Sequence, residues 1–532
     1  MTSVQDDVAR GTGASEATVA EAKDAPRARR RRALVLAAVF VCAACGLVYE
    51  LALVALGSYL LGNTITQASV VLALMVFAMG LGSLAAKPLT RHAAASFAVV
   101  ELVLALVGGT SVLILYAAFA WWSLYQPLLV VLALAIGLLI GAEIPLLMTL
   151  LQRIRRQEAS SAVADLFAAD YVGALIGGLA FPFVLLPWLG LLEGTLVVGA
   201  VNAVAGAAVT LWLFRSEVRR RVRALLGVAL AAVLAALLVL AVTASAFEAT
   251  ARQRIFRDPV VVAERSDYQE IVVTRSLRGG DTRLFLNGDL QFSSLDEYRY
   301  HEALVHPAMA GAHARVLVLG GGDGLAAREL LRYDDVESVT LVDLDPAVVS
   351  LARRDPTFRD LNDDAFADPR LTVVNADAFG WLRANDEQFD VVVADMPDAD
   401  DVPTAKLYSV ETYGLVRRAL APGGRVVVQA GSPYFAREAY WTTAASLRTA
   451  GLSPTAYHVD VPSFGDWGFF LATAGSAPEL RMAPDAPRTR FVDDGVLAAA
   501  QVFPKDRGVL DLTPSTLLDP VILERQGTWR GY

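Results

Sequence analysis

Two patterns of apolar residues divide the chain. Up to about residue 250 the apolar residues run without a polar face, over 33–54, 67–86, 97–119, 127–151, 163–190, 192–214 and 223–246. Each run is near the roughly 20 residues that cross a hydrocarbon core, which predicts a membrane domain of about seven transmembrane helices over 33–246. From Phe256 the runs shorten. Segments 259–263, 270–276 and 282–286 read as strands, the last entering the turn Asn287-Gly288, which predicts a small antiparallel β unit over 255–306. After His306-Pro307, strands are predicted at 315–319, 338–343, 371–375, 390–394, 425–429, 455–461 and 467–472. Helices are predicted at 325–333, 346–354, 378–384, 410–420 and 437–450. Such alternation is a doubly wound, mostly parallel sheet over 307–475, in which ligands bind at the carboxyl ends of the strands. Residues 476–532 are left as a C-terminal extension.

Charge refines this picture. The first 26 residues lack an apolar period and lead into a basic block, Arg27 and Arg29 to Arg32, so 1–32 reads as a disordered, basic-ended tail. Further basic residues gather on alternate joints: Lys87 and Arg91; Arg153, Arg155 and Arg156; Arg215, Arg219, Arg220, Arg221 and Arg223. The excess of positive charge on inner loops places these joints and the N-terminus in the cytoplasm of a multi-pass cell-membrane protein. Seven crossings would then carry everything after residue 246 outside. The chain of 532 residues is 55% hydrophobic with a net charge of -9, a balance that excludes nucleic acid as a partner and suits a cationic one. The only cysteines, Cys42 and Cys45, fall in the first apolar run, so the globular part has no disulfide. Five histidines without paired spacing argue against a metal site.

Carboxylates interrupt the apolar runs: Glu50, Glu143 and Asp170 well inside, Glu101 and Asp165 nearer the edges. Each costs about 2.5–3.5 kcal/mol at the bilayer centre. Protonated acids that hydrogen-bond between helices are one reading, and an acid-lined path for a cation or polyamine is the other.

The first strand of the predicted sheet ends in Gly320-Gly321-Gly322-Asp323-Gly324, a turn in which backbone closely approaches a ligand. About 20 residues on, Asp343 ends the next strand, where an acid grips ribose hydroxyls. Asp377 follows the third strand and Asp395 the fourth. Capping of the following helix explains any one of these acids, but poorly all four.

The blocks Tyr268-Gln269-Glu270-Ile271, Leu286 to Gln291, Asp296 to Glu302 and Leu319 to Gly324 resemble, in that order, the signature blocks of the spermidine synthase (polyamine aminopropyltransferase) family. Val342 to Asp345, Asp377-Ala378-Phe379, Asp395 to Asp398 and Gly465 to Phe469 are similar to its later blocks. The resemblance spans roughly 260–475, and the whole chain looks like the membrane-fused, multi-span version. It implies a Rossmann-like fold of the S-adenosylmethionine-dependent transferase type. The implied activity is transfer of an aminopropyl group from decarboxylated S-adenosylmethionine to a polyamine, putrescine by default, with release of 5'-methylthioadenosine.

The donor would be a co-substrate, with no other cofactor. The resemblance further implies that Asp395 is the general base, that Gln269, Gly320, Gly322, Asp343, Asp377 and Ala378 hold the adenosyl part, and that Tyr300, His301, Asp323 and Asp398 face the aminopropyl group and the polyamine. An acid at Asp323 would repel the carboxylate of ordinary S-adenosylmethionine, which disfavours methyl transfer. Three positions depart from the family pattern: Asp343 stands where Glu is usual, Met396-Pro397 separate the two acids of the fourth-strand block, and Val461-Pro462-Ser463-Phe464 lacks the acceptor-pocket Tyr. The alternatives are another adenosyl-dependent transferase and a non-enzymatic membrane transporter or sensor of polyamines. A lipid bilayer is the expected surrounding, and a homo-oligomer is compatible with the chain.

Overall fold

A computed structural model describes residues 5–61, 64–154 and 159–526, in two units, Met1–Ile255 and Phe256–Tyr532. The first unit is helical. Six of its helical stretches are long and apolar enough to cross a membrane: Arg30–Leu60, Thr66–Ala85, Lys87–Trp122, Tyr125–Arg153, Val163–Leu213 and Arg220–Ile255. Seven runs were expected; 163–190 and 192–214 lie in one stretch of 51 residues. At 1.5 Å per residue a straight helix of that length would be more than twice as long as a ~30 Å core is thick. It is not straight: Gly190 has φ 67° and ψ -174°, outside helical geometry. Arg153, ahead of this stretch, donates to Glu217 beyond it at 2.9 Å and to the Thr90 carbonyl at 3.1 Å. Both ends of the stretch therefore lie at the end of the bundle where the basic joints gather, and the chain folds back near Gly190.

Helices in this unit approach through small residues. A Cβ on Gly137 would stand 2.7 Å from the Met75 carbonyl oxygen, and Gly141, Gly173 and Gly177 press equally on neighbouring backbone, the packing of helices that gain little from apolar burial alone. Large apolar side chains point outward instead, among them Val76, Phe77, Trp188 and Val242. The first helix runs Gln5–Leu61, so the tail expected to be disordered up to residue 32 is helical from Gln5. Its Ala, Glu, Lys and Arg content has high helix propensity, which the absence of an apolar period conceals.

The second unit opens with an antiparallel meander, β1 (Val260–Arg265), β2 (Glu270–Arg275), β3 (Thr282–Leu286) and β4 (Asp289–Ser293). The larger sheet comprises β5 (Arg315–Gly320), β6 (Ser338–Asp343), β7 (Leu371–Asn375), β8 (Phe389–Asp395), β9 (Leu420–Gln429), β10 (Ser453–Val461) and β11 (Gly465–Thr473), in the order 10-11-9-8-5-6-7. Strands β5 to β9 are parallel, and β10 and β11 are antiparallel. The chain winds from β5 through β6 to β7, then returns to β8 on the other side of β5. That reversal opens a crevice at the carboxyl ends of β5 and β8. Alternate residues of β5 feed the two faces: Val316 and Val318 enter one core, Leu317 and Leu319 the other. The meander packs Ile271, Val273, Leu284 and Phe292 against Val348 and Leu351 of helix Pro346–Arg354, which fixes the β1–β2 turn beside the β6 end.

The extension after residue 475 packs into the two cores of the sheet. Leu480, Ala483, Val492, Leu497 and Ala500 belong to one face's core and Ile522 to the other's. Much of this segment is irregular chain, invisible to periodicity, and a side chain rather than a ladder satisfies part of its backbone. The buried carboxylate of Glu302 accepts the amides of Arg490 at 2.8 Å, Phe491 at 2.8 Å and Val492 at 3.0 Å. Replacing Glu302 by Ala leaves these amides without an acceptor, each at a cost of about 1–3 kcal/mol when buried. Glu302→Ala is expected to raise hydrogen exchange at residues 490–492 by roughly a hundredfold, as read by exchange mass spectrometry.

Candidate active site

The loop after β5 is shaped by what stands opposite. Register pairs Gly320 with Asp395 across β5 and β8, and Gly320 adopts φ 84° with its Cβ direction pointed at the Asp395 carbonyl oxygen. No side chain fits there. Gly322 is equally confined, since a Cβ would stand 2.6 Å from Asp343 Oδ2; its amide donates to that oxygen at 3.0 Å. The other Asp343 oxygen accepts the Asp345 amide at 2.8 Å. Burial pushes Asp343 up to about 6 despite these two bonds. Asp323 turns back on its helix, accepting the Leu325 amide at 2.9 Å, while Asn362 donates to the Asp323 carbonyl at 3.0 Å.

Helix Glu297–Val305 delivers Tyr300 and His301 to the mouth of the crevice. The Tyr300 hydroxyl donates to Asp395 Oδ1 at 2.6 Å, and its ring is held edge-on by Phe464 and Phe469. His301 Nδ1 lies 2.8 Å from the Glu297 carbonyl and 3.0 Å from the Glu297 carboxylate, itself clamped by both terminal nitrogens of Arg328. Burial alone would lower the imidazole, yet the hydrogen bond and charge of Glu297, then Asp323 and Asp395, hold it above its ordinary value. The same burial raises Asp395, against the opposing charge of His301 and the bond from Tyr300. Burial also pushes Asp323 up to about 6, with His301 opposing and Asp395 adding. Asp323 and Asp395 thus lie close enough to His301 for each to feel its charge, and burial raises both acids.

Asp398, past the β8 end, accepts from Gln429 at 3.2 Å and from Gln526 at 3.3 Å, and burial brings it to about 6. Asp289, at the start of β4, is pushed up to about 7 by burial and by the charges of Asp400 and Asp398. Tyr408 donates to the Pro397 carbonyl at 2.9 Å and fixes the bend between the two acids. Asp289 lay in the Leu286 to Gln291 block without a role assigned to it, and Tyr408, Gln429 and Gln526 were not singled out from the sequence. Gln429 at a strand end carried a usable positional signal, whereas Gln526 lies in irregular chain and carried none.

Two expected ligand residues are engaged otherwise. Asp377 caps helix Ala378–Ala384, placing Ala378 at its first turn, and pairs with Lys406 at 2.8 Å. Gln269 donates to Asp345 at 2.9 Å, as does Ser266 at 2.7 Å, so the second acid of Val342 to Asp345 positions the β1–β2 turn. Among the described residues, one group of metal-type donors converges, His313, Asp335 and Asp485. Both His313 ring nitrogens there are used, on the Gly311 carbonyl and on Asp335.

Residues 297–483 match the family model described as the spermine/spermidine synthase domain. The chain is 60% identical over 509 residues to polyamine aminopropyltransferase 1 of Streptomyces coelicolor, covering 95% of this chain and 96% of that protein. The chain belongs to the polyamine aminopropyltransferase family. It is also 50% identical over 505 residues to the polyamine aminopropyltransferase of Mycobacterium tuberculosis, covering 93% and 96% of the two chains. A solved spermidine synthase in complex with the transition-state analogue AdoDATO is 25% identical, at a TM-score of 0.43 over 46% of this chain and 85% of that one.

The aminopropyltransferase carries buried acids whose protons the unfolded chain would release. Asp323, Asp343 and Asp398 titrate near 6 when folded and near 3.9 when unfolded. Their contribution to stability is fully present below the unfolded value and is lost as pH rises through about 6. The melting temperature of the ligand-free enzyme should carry this downward component between pH 4 and 6, and Asp398→Asn should reduce it.

Proposed function

We propose that the enzyme transfers the aminopropyl group of decarboxylated S-adenosylmethionine to a diamine, putrescine in the simplest case, forming spermidine and 5'-methylthioadenosine. The nitrogen lone pair attacks the propyl carbon bonded to the sulfonium, the carbon–sulfur bond breaks, and its electron pair neutralises the sulfur. At neutral pH, however, that nitrogen arrives as an ammonium group with no free lone pair, so one proton must leave it before or as the attack occurs. Ammonium groups of this type hold their protons to about pH 10, so a base must be present, and one carboxylate is assigned to it, Asp395.

The observation that carries this reading is the placement of Asp395 opposite Gly320, held by Tyr300 and facing Asp323 and His301. In this reading Asp323 receives the ammonium of the aminopropyl group, and Gly320, Gly322, Asp343 and Gln269 border the adenosyl side. Asp377 and Ala378 border the adenine, with Lys406 as a neutralising partner. Asp398 takes the far ammonium of the acceptor, and Tyr300 and His301 line the route between them. An acid in the position of Asp323 works against a donor that keeps its carboxylate, which separates this reading from methyl transfer. The outward apolar side chains of the first unit and its basic joints support a multi-pass anchor in the cell membrane with the N-terminus on the cytoplasmic side.

Asp395→Asn should lower turnover by about 10²–10⁴-fold, the usual worth of a positioned base, while donor affinity measured by calorimetry stays within a few-fold; near-normal turnover would refute the assignment of the base. Methylthioadenosine release should depend on an added diamine and should fail with ordinary S-adenosylmethionine as donor, as followed by chromatography. Release without any amine would point to hydrolysis instead.

A further inference from the structure

Within the apolar helical unit, two carboxyl groups meet in a place with no basic residue to balance them. Glu101, on helix Ala93–Ala117, is fully buried, and Glu143, on helix Tyr125–Ile154, is 6% exposed. Glu101, expected near a span edge, is among the most enclosed polar residues of the unit. The two side chains lie within hydrogen-bonding reach of each other. Two carboxylates cannot bond without something positive between them, and Oε1 of each has no donor. The sequence holds no Lys or Arg over 33–86, 92–152 or 157–214.

The surroundings are built for this pair. Asn202 donates to Glu101 Oε2 at 2.8 Å and leaves its own Oδ1 unpartnered. Tyr49, packed against Gly108 of the Glu101 helix, is fully buried with a hydroxyl that has no partner. Glycines make the room: a Cβ on Gly206 would overlap the Glu101 stem, and one on Gly108 would stand 2.8 Å from the Tyr49 ring. Three helices thus bring Glu101, Glu143 and Asn202 together in an otherwise apolar bundle, at a cost that inward-facing acids meet only by finding a partner.

We propose that Glu101 and Glu143 form a single-cation site for which a proton and a primary ammonium group compete. Two carboxyls in contact in apolar surroundings carry one negative charge at most, so one positive charge completes them. A proton satisfies the pair alone. A primary ammonium brings three donors, and three acceptors lack one here: Glu101 Oε1, Glu143 Oε1 and Asn202 Oδ1. The chemical class is therefore an alkylamine with an unsubstituted –NH3+ end. The site is separate from the transfer reaction and is read without turnover.

The test is carbodiimide labelling of the full chain in proteoliposomes with dicyclohexylcarbodiimide, which reacts with protonated carboxyls in apolar surroundings, quantified by peptide mass spectrometry. Labelling is expected at Glu101 or Glu143. Putrescine at ten times its dissociation constant should slow it about tenfold, whereas tetramethylammonium, which has no N–H donor, and sodium should not. No labelling at either residue, no protection by putrescine, or equal protection by tetramethylammonium or sodium would each overturn the proposal. Glu101→Gln should abolish the putrescine effect on Glu143 while methylthioadenosine release keeps its wild-type rate, which shows that the variant is folded.

Discussion

The parallel pairing of β5 with β8 is the constraint from which the catalytic unit follows. It sets the Gly320 backbone against the Asp395 carbonyl so closely that no side chain fits, and it brings a glycine turn and a carboxylate to the same edge. Everything else at the site is arranged to tolerate that carboxylate. Tyr300 supplies a hydrogen bond, and Glu297, clamped by Arg328, holds the His301 imidazole above its ordinary value. Burial raises this acid, and the charge of His301 and the bond from Tyr300 oppose the rise.

How far this was readable from sequence depended on the range of the interaction. Strand ends, glycine turns and helix caps are local, so β6, β7 and the helices after them came out at the bounds the structure shows, and Asp343, Asp377 and Asp395 were located from them. The role of Asp345 was not local: its partners Ser266 and Gln269 come from a separate small sheet. Lys406 beside Asp377 was hidden for the same reason. The helical unit shows the opposite difficulty, because hydropathy registers each apolar run but not that Gly190 turns one long helix back on itself. Glu101 was placed at an edge since the run around it was drawn too short; the helical stretch begins at Lys87.

The two units handle buried acids by different means. In the catalytic unit, acids are met by amides, Arg328, His301 and glutamine side chains, so their charge is tuned. Among the described helices Glu101 is met by the Asn202 amide, with Glu143 as its acidic neighbour. The first arrangement suits a group that must change charge at each turnover. The second suits one that waits for a cation.

Gln526 reaches Asp398 from the last described turn of the chain. During synthesis, then, the helical unit emerges first, the parallel sheet second, and the amide that reaches Asp398 after both. Loss of the turn that carries Gln526 would take a hydrogen bond from Asp398, although the two lie more than a hundred residues apart in sequence.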